Sequence, residues 1–224
     1  MNKKGKTGPR LFFYIAGLLI MTFGVAISIR SDLGVSPISS IPYTLTCVAG
    51  MNMGLSTTVC SIAFIIMQII ILRKQFKLFD LMQLPVSIMF GAFMTFCTGL
   101  VKYMPEPANF GVKIIMMLIS TVVVAIGVFM YVSSGYITLP TEGIMIAVVR
   151  VSKFQFGSVK RAFDISMVVI SAVTCLICIK ELGSVGLGTI ISAVLVGTEI
   201  KLLTKWFGSA KDKFLGFAPA ENSK

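Results

Sequence analysis

Residues 11–30 read LFFYIAGLLIMTFGVAISIR, and after a short polar turn residues 37–50 read PISSIPYTLTCVAG. A helix needs about 20 apolar residues to cross roughly 30 Å of hydrocarbon. The first segment is long enough, whereas the second would reach only about 21 Å at a rise of 1.5 Å per residue. The pair predicts one spanning helix followed by a half-helix that enters the membrane without crossing it.

The composition of the whole chain agrees with a membrane protein. Hydrophobic residues make up 56% of the 224 residues and charged residues only 13%, whereas soluble domains carry about a quarter charged residues. The formal net charge is +11, but the basic residues form short clusters between apolar segments, as lipid orientation rules require. This distribution argues against nucleic-acid binding.

Further apolar segments complete the prediction of an all-α membrane protein. A second short segment, residues 140–150, also lacks the length to cross. The five other long segments are 55–73, 81–101, 112–132, 159–179 and 185–206.

Basic residues predict the orientation. With two re-entrant short segments and a cytoplasmic N-terminus, all but four of the 20 basic residues lie in the tails or the inner loops. If residues 37–50 crossed instead, Arg73, Lys74 and Lys77 would lie outside. The positive-inside rule therefore favours six spans with both termini cytoplasmic.

The chain also repeats itself. Gly24, Pro37 and Gly54 recur 103 residues later as Gly127, Pro140 and Gly157. Three spans per half give the halves opposite orientations, an inverted repeat that is common among secondary transporters. We predict 3+3 inverted repeats, each with one re-entrant half-helix: residues 1–105 with half-helix 37–50, then 106–208 with half-helix 140–150. A cytoplasmic tail, 209–224, would follow.

Three motifs resemble a known family. They are Ser31-Asp32-Leu33-Gly34-Val35-Ser36-Pro37, Pro140-Thr141-Glu142 and Gly186-Leu187-Gly188-Thr189. Together they resemble the YczE/YyaS-like, YitT-related membrane proteins of bacteria, over nearly the whole chain. The resemblance implies a multi-pass protein of the bacterial cytoplasmic membrane and no particular substrate.

The start of each half-helix is the first candidate for a site. Ser36 is predicted to cap its helix, and Pro37 at the first helical position has no amide to leave unpaired. Pro140 repeats this arrangement, with Glu142 in the first turn. Free amides and the positive dipole end at each tip would favour a negative group near the midplane. We expect the two tips to form one site, which also includes Ser39, although capping without a ligand is an alternative.

Charged residues near or within the spans are further candidates. Arg161 and Asp164 have the i, i+3 spacing of an ion pair on one helix face. Asp32 is retained as a candidate, although it and Glu199 are expected at the interface. Charges at depth are costly and usually face an interior or a cavity.

The turn that opens the last span completes the set. Gly188 and Thr189 lie where the backbone could approach a ligand, with tight packing of the last span as the alternative. The absence of histidine excludes Ser/His/Asp and Cys/His arrangements, and no carboxylates have metal-binding spacing. The sequence therefore predicts neither an enzyme nor a cofactor.

The predicted function is a small-solute permease with a midplane site at the half-helix tips. Its expected partners are the lipid bilayer and an unknown small solute, and a homo-oligomer or a partner subunit remains open. One alternative is a non-transporting membrane scaffold or regulator. Others are a substrate-capture subunit of an energised complex and a passive channel.

Overall fold

The computed structural model describes residues 6–152 and 154–216, and every regular element in these ranges is helical. The α-helices are α1 Thr7–Ser31, α2 Pro37–Ala49, α3 Met53–Leu72, α4 Gln83–Val101, α5 Phe110–Ser133, α6 Pro140–Ser152, α7 Phe156–Cys178 and α8 Leu187–Leu215. Two short 3₁₀ turns, Arg73–Gln75 and Leu78–Met82, connect α3 to α4.

Six of these helices are long and apolar enough to cross a membrane, and the exceptions are α2 and α6. Each of the two has 13 residues, or about 20 Å at 1.5 Å per residue. Many apolar side chains on the long helices are exposed, such as Ile70, Ile165 and Ile190, and this surface contacts lipid. The prediction of an all-α membrane protein with six long apolar helices is confirmed.

The centre of the bundle is a close antiparallel pair, α1 and α5. A Cβ atom on Gly24 would lie 2.7 Å from the Val124 amide nitrogen, and one on Gly127 would overlap the Met21 backbone. Side chains cannot be accommodated at such distances, so glycine allows the two backbones to approach.

The other helices pack around this pair in matched contacts. Helix α4 packs against α1 and α8 packs against α5, while α2 contacts α7 and α3 contacts α6. Each short helix therefore lies against a long helix from the other half of the chain.

The largest difference between the two halves is a contact that the second half lacks. Helices α3 and α4 pack tightly, because Gly54 lies directly against the Gly91 carbonyl and Thr95. Helices α7 and α8 do not pack in this way, and within residues 6–152 and 154–216 a Cβ atom on Gly157 or Gly197 would have nothing within 4 Å. The second half is therefore more open than the first between its last two spans.

Helix α8 continues past the predicted end of the last span. It ends at Leu215, where Gly216 takes a left-handed conformation with φ of 72°, a common helix terminus. The first residues of the predicted tail are thus helical, and residues 217–224 lie outside the described ranges. The Lys6 amide donates to the Leu215 carbonyl at 2.9 Å, which places both described ends at the same end of the bundle.

Candidate functional site

The N-terminal ends of α2 and α6 border the same small internal cavity, which we call the tip cavity. Ile38 and Ser39 line it from α2, and Leu139, Pro140 and Thr141 line it at the start of α6. Its volume is about 30 Å³, enough for roughly one water molecule. The remaining lining comes from α1 to α4: Met21, Pro42, Met53, Thr57, Cys60, Ser61, Phe64, Phe90 and Met94.

The expected capping role of Ser36 differs from what the structure shows. Its hydroxyl donates to the Ser39 hydroxyl at 3.2 Å, and it is its backbone carbonyl that accepts the Ser39 amide at 2.9 Å. In α6 the Leu139 carbonyl accepts from the Glu142 and Gly143 amides, at 3.0 and 2.9 Å. Backbone carbonyls satisfy these first amides, and Pro37 and Pro140 occupy the first helical positions as predicted.

Two buried glutamines, which the sequence reasoning missed, hold the α6 tip. Gln68 of α3 and Gln83 of α4 exchange carboxamide hydrogen bonds at 3.1 and 3.2 Å. Gln68 also donates to the Pro140 carbonyl at 3.2 Å. A Cβ atom on Gly143 would lie 2.6 Å from the Gln68 side-chain oxygen. The signal available in the sequence was two uncharged but strongly polar residues inside apolar segments, which usually bond across helices.

A larger cavity of about 690 Å³, which we call the vestibule, opens where α1 and α4 end and α3 and α5 begin. Its charged lining is Arg30, Asp32, Lys102, Glu106 and Lys113. Lys113 pairs with Asp32 at 2.7 Å and Arg30 with Glu106 at 3.3 Å. Asp32, expected to be merely interfacial, therefore lines a polar cavity, and the other four residues were not predicted.

Arg30 is held at the inner wall of the vestibule. One guanidinium nitrogen donates to the Met104 carbonyl at 2.9 Å, while its Nε atom is buried and has no hydrogen-bond partner in the described part of the chain. Lys102 is exposed and forms no ion pair within that part. The vestibule is thus lined by N–H donors of Arg30 and Lys102 that are not all paired with acceptors in the described residues.

Glu142 does not lie in the site that we expected the tips of the two short helices to share. Its carboxylate accepts a hydrogen bond from the Tyr131 hydroxyl, and it does not line the tip cavity. Tyr131 is only 2% exposed and packs 6.1 Å from the Tyr14 ring. Glu142 therefore joins α6 to the α1–α5 pair.

The remaining charges also lie apart from the tips. Asp164 pairs with Lys160 at 2.8 Å rather than with Arg161, which is exposed. Both neighbours, Lys160 at i, i+4 and Arg161 at i, i+3, lie on the same helix face as Asp164. Glu199 lies near the middle of α8, where the Thr121 hydroxyl donates to it at 3.0 Å. Glu199 is thus half-buried against α5, and its expected position at the membrane interface stays a prediction.

Gly188 and Thr189 support the loop that precedes α2. The Gly188 amide donates to the Leu33 carbonyl at 2.7 Å, and Thr189 accepts from the Gly186 amide at 3.2 Å. A Cβ atom on Gly34, whose φ is 98°, would lie 2.6 Å from the Gly186 nitrogen. The contacts favour the packing alternative for this turn, so its glycines position α2 from outside the tip cavity.

Comparison with known proteins agrees with the resemblance seen in the three motifs. Residues 8–205 match the model of a family described as "Family of unknown function (DUF6198)". The chain is similar to the uncharacterized membrane protein YczE of Bacillus subtilis, with 25% identity over 86% of this chain and 84% of the relative. It is also similar to the uncharacterized protein YyaS of the same organism, with 23% identity over 84% and 89% of the two chains. No solved structure matches the chain significantly.

Proposed function

The chain belongs to the DUF6198 family of membrane proteins, and from that premise we propose that it is a permease for a small solute. In this proposal two inverted repeats, with re-entrant helices α2 and α6, expose the tip cavity alternately to the two sides of the membrane. The observation that carries the proposal is that the tips of both short helices border one internal cavity. Transporters of several folds bind their substrates where such interrupted helices meet near the midplane.

The contacts of the central pair support the inverted repeat. Gly24 packs on Val124 and Gly127 packs on Met21, and a shift of 103 residues converts the first contact into the second. Because α1 and α5 are antiparallel, the two-fold axis that exchanges them is perpendicular to both. For two spanning helices this axis lies in the membrane plane, as in inverted repeats.

The C-terminal ends of α1 and α5 also support the inverted repeat. The Ser31 hydroxyl donates to the Ser28 carbonyl at 2.7 Å, and the Ser134 hydroxyl donates to the Tyr131 carbonyl at 2.6 Å. The next residues, Asp32 and Gly135, both take left-handed conformations, with φ of 55° and 67°. Equivalent positions thus have equivalent local structures.

Ligand-induced stabilisation followed by transport tests the proposal. Purified protein is heated with a panel of small organic anions, cations and zwitterions, and each stabilising solute is then assayed for uptake into proteoliposomes. We expect at least one solute to raise the melting temperature and to enter the vesicles. Thr141→Leu, which fills the tip cavity, should abolish both effects, whereas Ser166→Leu on the exposed face of α7 should not. Equal responses of the two variants, or no uptake by the purified protein, would contradict the permease.

A second candidate function is a substrate-capture subunit of a larger transport complex. The observation that favours it is the open face between α7 and α8, where a Cβ atom on Gly157 or Gly197 would meet no atom of the described residues within 4 Å. Small residues of this kind allow helices of a partner to approach closely. Uptake by the purified protein alone separates the candidates, because a capture subunit binds solute but carries none without its partner.

A further inference from the structure

We propose that Met53 is a gate between the vestibule and the tip cavity, and that it is closed in this structure. Among residues 6–152 and 154–216, Met53 is the one that lines both cavities. It is only 4% exposed, so it fills space in the core beside both cavities, and in this proposal its side chain closes the passage between them. The inference rests on the proposed permease, because it makes the two cavities parts of one solute route.

The two cavities lie next to each other along α2, because neighbouring residues of this helix line one or the other. Tyr43 and Thr46 line the vestibule, whereas Pro42 and Ser39 line the tip cavity. Going down α2 toward its tip, the lining thus passes from the large cavity to the small one at the level of Met53. Met53 belongs to the same hydrophobic cluster as three other residues that line the tip cavity: Met21, Phe90 and Met94.

The local contacts allow the side chain to move while the helix stays in place. The α3 N-terminus is fixed, because the Asn52 side chain accepts from the Leu55 amide at 2.8 Å. The Met53 sulfur is held by a weak contact, with the Thr46 hydroxyl 3.7 Å away. Methionine is unbranched and has three rotatable bonds, so it can change rotamer at small cost. A rotation of Met53 toward the vestibule would join the two cavities.

Cys60 provides a native reporter of opening. It lines the tip cavity, is 6% exposed and does not line the vestibule. We would change Cys47, Cys97, Cys175 and Cys178 to Ala and place the single-cysteine protein in lipid nanodiscs. The rate of Cys60 modification by a charged, membrane-impermeant methanethiosulfonate then measures access from water.

The expected result is slow modification with Met53 present and a rate about tenfold higher for Met53→Ala, since the rate follows the fraction of time that the route is open. Met53→Leu, which keeps a bulky side chain, should stay slow. The matched control is Met94→Ala, because Met94 is equally buried and lines the tip cavity but not the vestibule. Unchanged modification of Met53→Ala, or an equal increase for Met94→Ala, would overturn the gate.

If Met53→Ala fails to fold, a second variant tests the gate. Thr46→Val removes the hydroxyl contact to the Met53 sulfur, together with the bonds to the Pro42 carbonyl and the Ser56 hydroxyl, and keeps the side-chain volume, so Cys60 should react about twice as fast. A rate equal to that of the parent protein would count against the gate. Failure of the permease is a separate outcome: faster Cys60 modification without solute uptake would support the gate and contradict transport.

Discussion

At the scale of single residues, the two buried glutamines decide how the second short helix is held. Gln68 and Gln83 come from different long helices, and their carboxamides meet beside the start of α6. Lipid offers no hydrogen bonds, so polar groups at membrane depth must find partners inside the protein. The α6 tip therefore depends on α3 and α4 as well as on its own sequence.

We predict that Gln68→Leu lowers the free energy of unfolding by about 1 kcal/mol, because it leaves Gln83 and the Pro140 carbonyl without their partner. The double variant Gln68→Leu/Gln83→Leu should lose less than the sum of the two single losses, since it removes both members of the pair. Thermal or steric-trap unfolding in bicelles measures these differences. Gln75→Leu, on an exposed turn, is the control, and a Gln68 variant as stable as this control would refute the role.

At the scale of helices, the two halves make most of the same contacts and differ most at the one between their last two long helices. Asn52 and Thr95 lie side by side where α3 meets α4, with 3.3 Å between the amide oxygen and the hydroxyl. The predicted repeat makes Gln155 equivalent to Asn52. In the last span Gly197 matches Gly91, an offset of 106 residues, so Lys201 is equivalent to Thr95. Helices α7 and α8, which carry these two residues, do not pack in the same way. If inverted repeats alternate, the conformation of each half should be adopted in turn by the other.

Paired cysteines in a cysteine-free background test this exchange. Asn52→Cys/Thr95→Cys should cross-link quickly, because these side chains are already in contact. Gln155→Cys/Lys201→Cys should cross-link more slowly but to a measurable extent, as α7 and α8 approach in the alternate state. Cross-linking of the second pair should also slow the first when the two are combined. A second pair that never forms a cross-link, under conditions where the first is complete, would exclude the alternation.

At the scale of the whole molecule, the vestibule distinguishes one end of the helix bundle from the other. Asn52 lines this cavity, and the nearby Tyr103 is 90% exposed. The described ends of the chain meet elsewhere, through the bond between Lys6 and Leu215. Under the predicted topology, with most basic residues inside, the vestibule faces the outside and the termini face the cytoplasm.

Single cysteines at Asn52 and Gln155 should therefore react with an impermeant thiol reagent from opposite sides of the membrane. In intact cells we expect Asn52→Cys to react, and Gln155→Cys to react only in inverted vesicles. Tyr103→Cys is the control for the vestibule side. Labelling of Asn52 and Gln155 from the same side would contradict both the orientation and the inverted repeat.

Hydropathy and helix-start residues alone were enough to locate the α-helices along the chain, although α8 ends at Leu215, past the predicted end of its span. Six long apolar segments and two short ones, each short one beginning at a proline, could be located from residue order. The reason is that crossing a bilayer requires a continuous apolar length, and this is a local property of the chain. The motifs around Pro37, Pro140 and Gly188 likewise indicated the family that the comparison confirms.

Only the tertiary structure decided which polar groups meet. Glu142 turns toward Tyr131 and Glu199 toward Thr121. Neither partner follows from hydropathy, because the rotation of each helix about its axis is set by packing against helices distant in sequence. The same holds for Met53, which reads as one more apolar residue in the sequence but lies between two cavities once α2, α3 and α4 pack together. The sequence by itself determined where the helices lie along the chain, and packing determined which of their faces enclose a space.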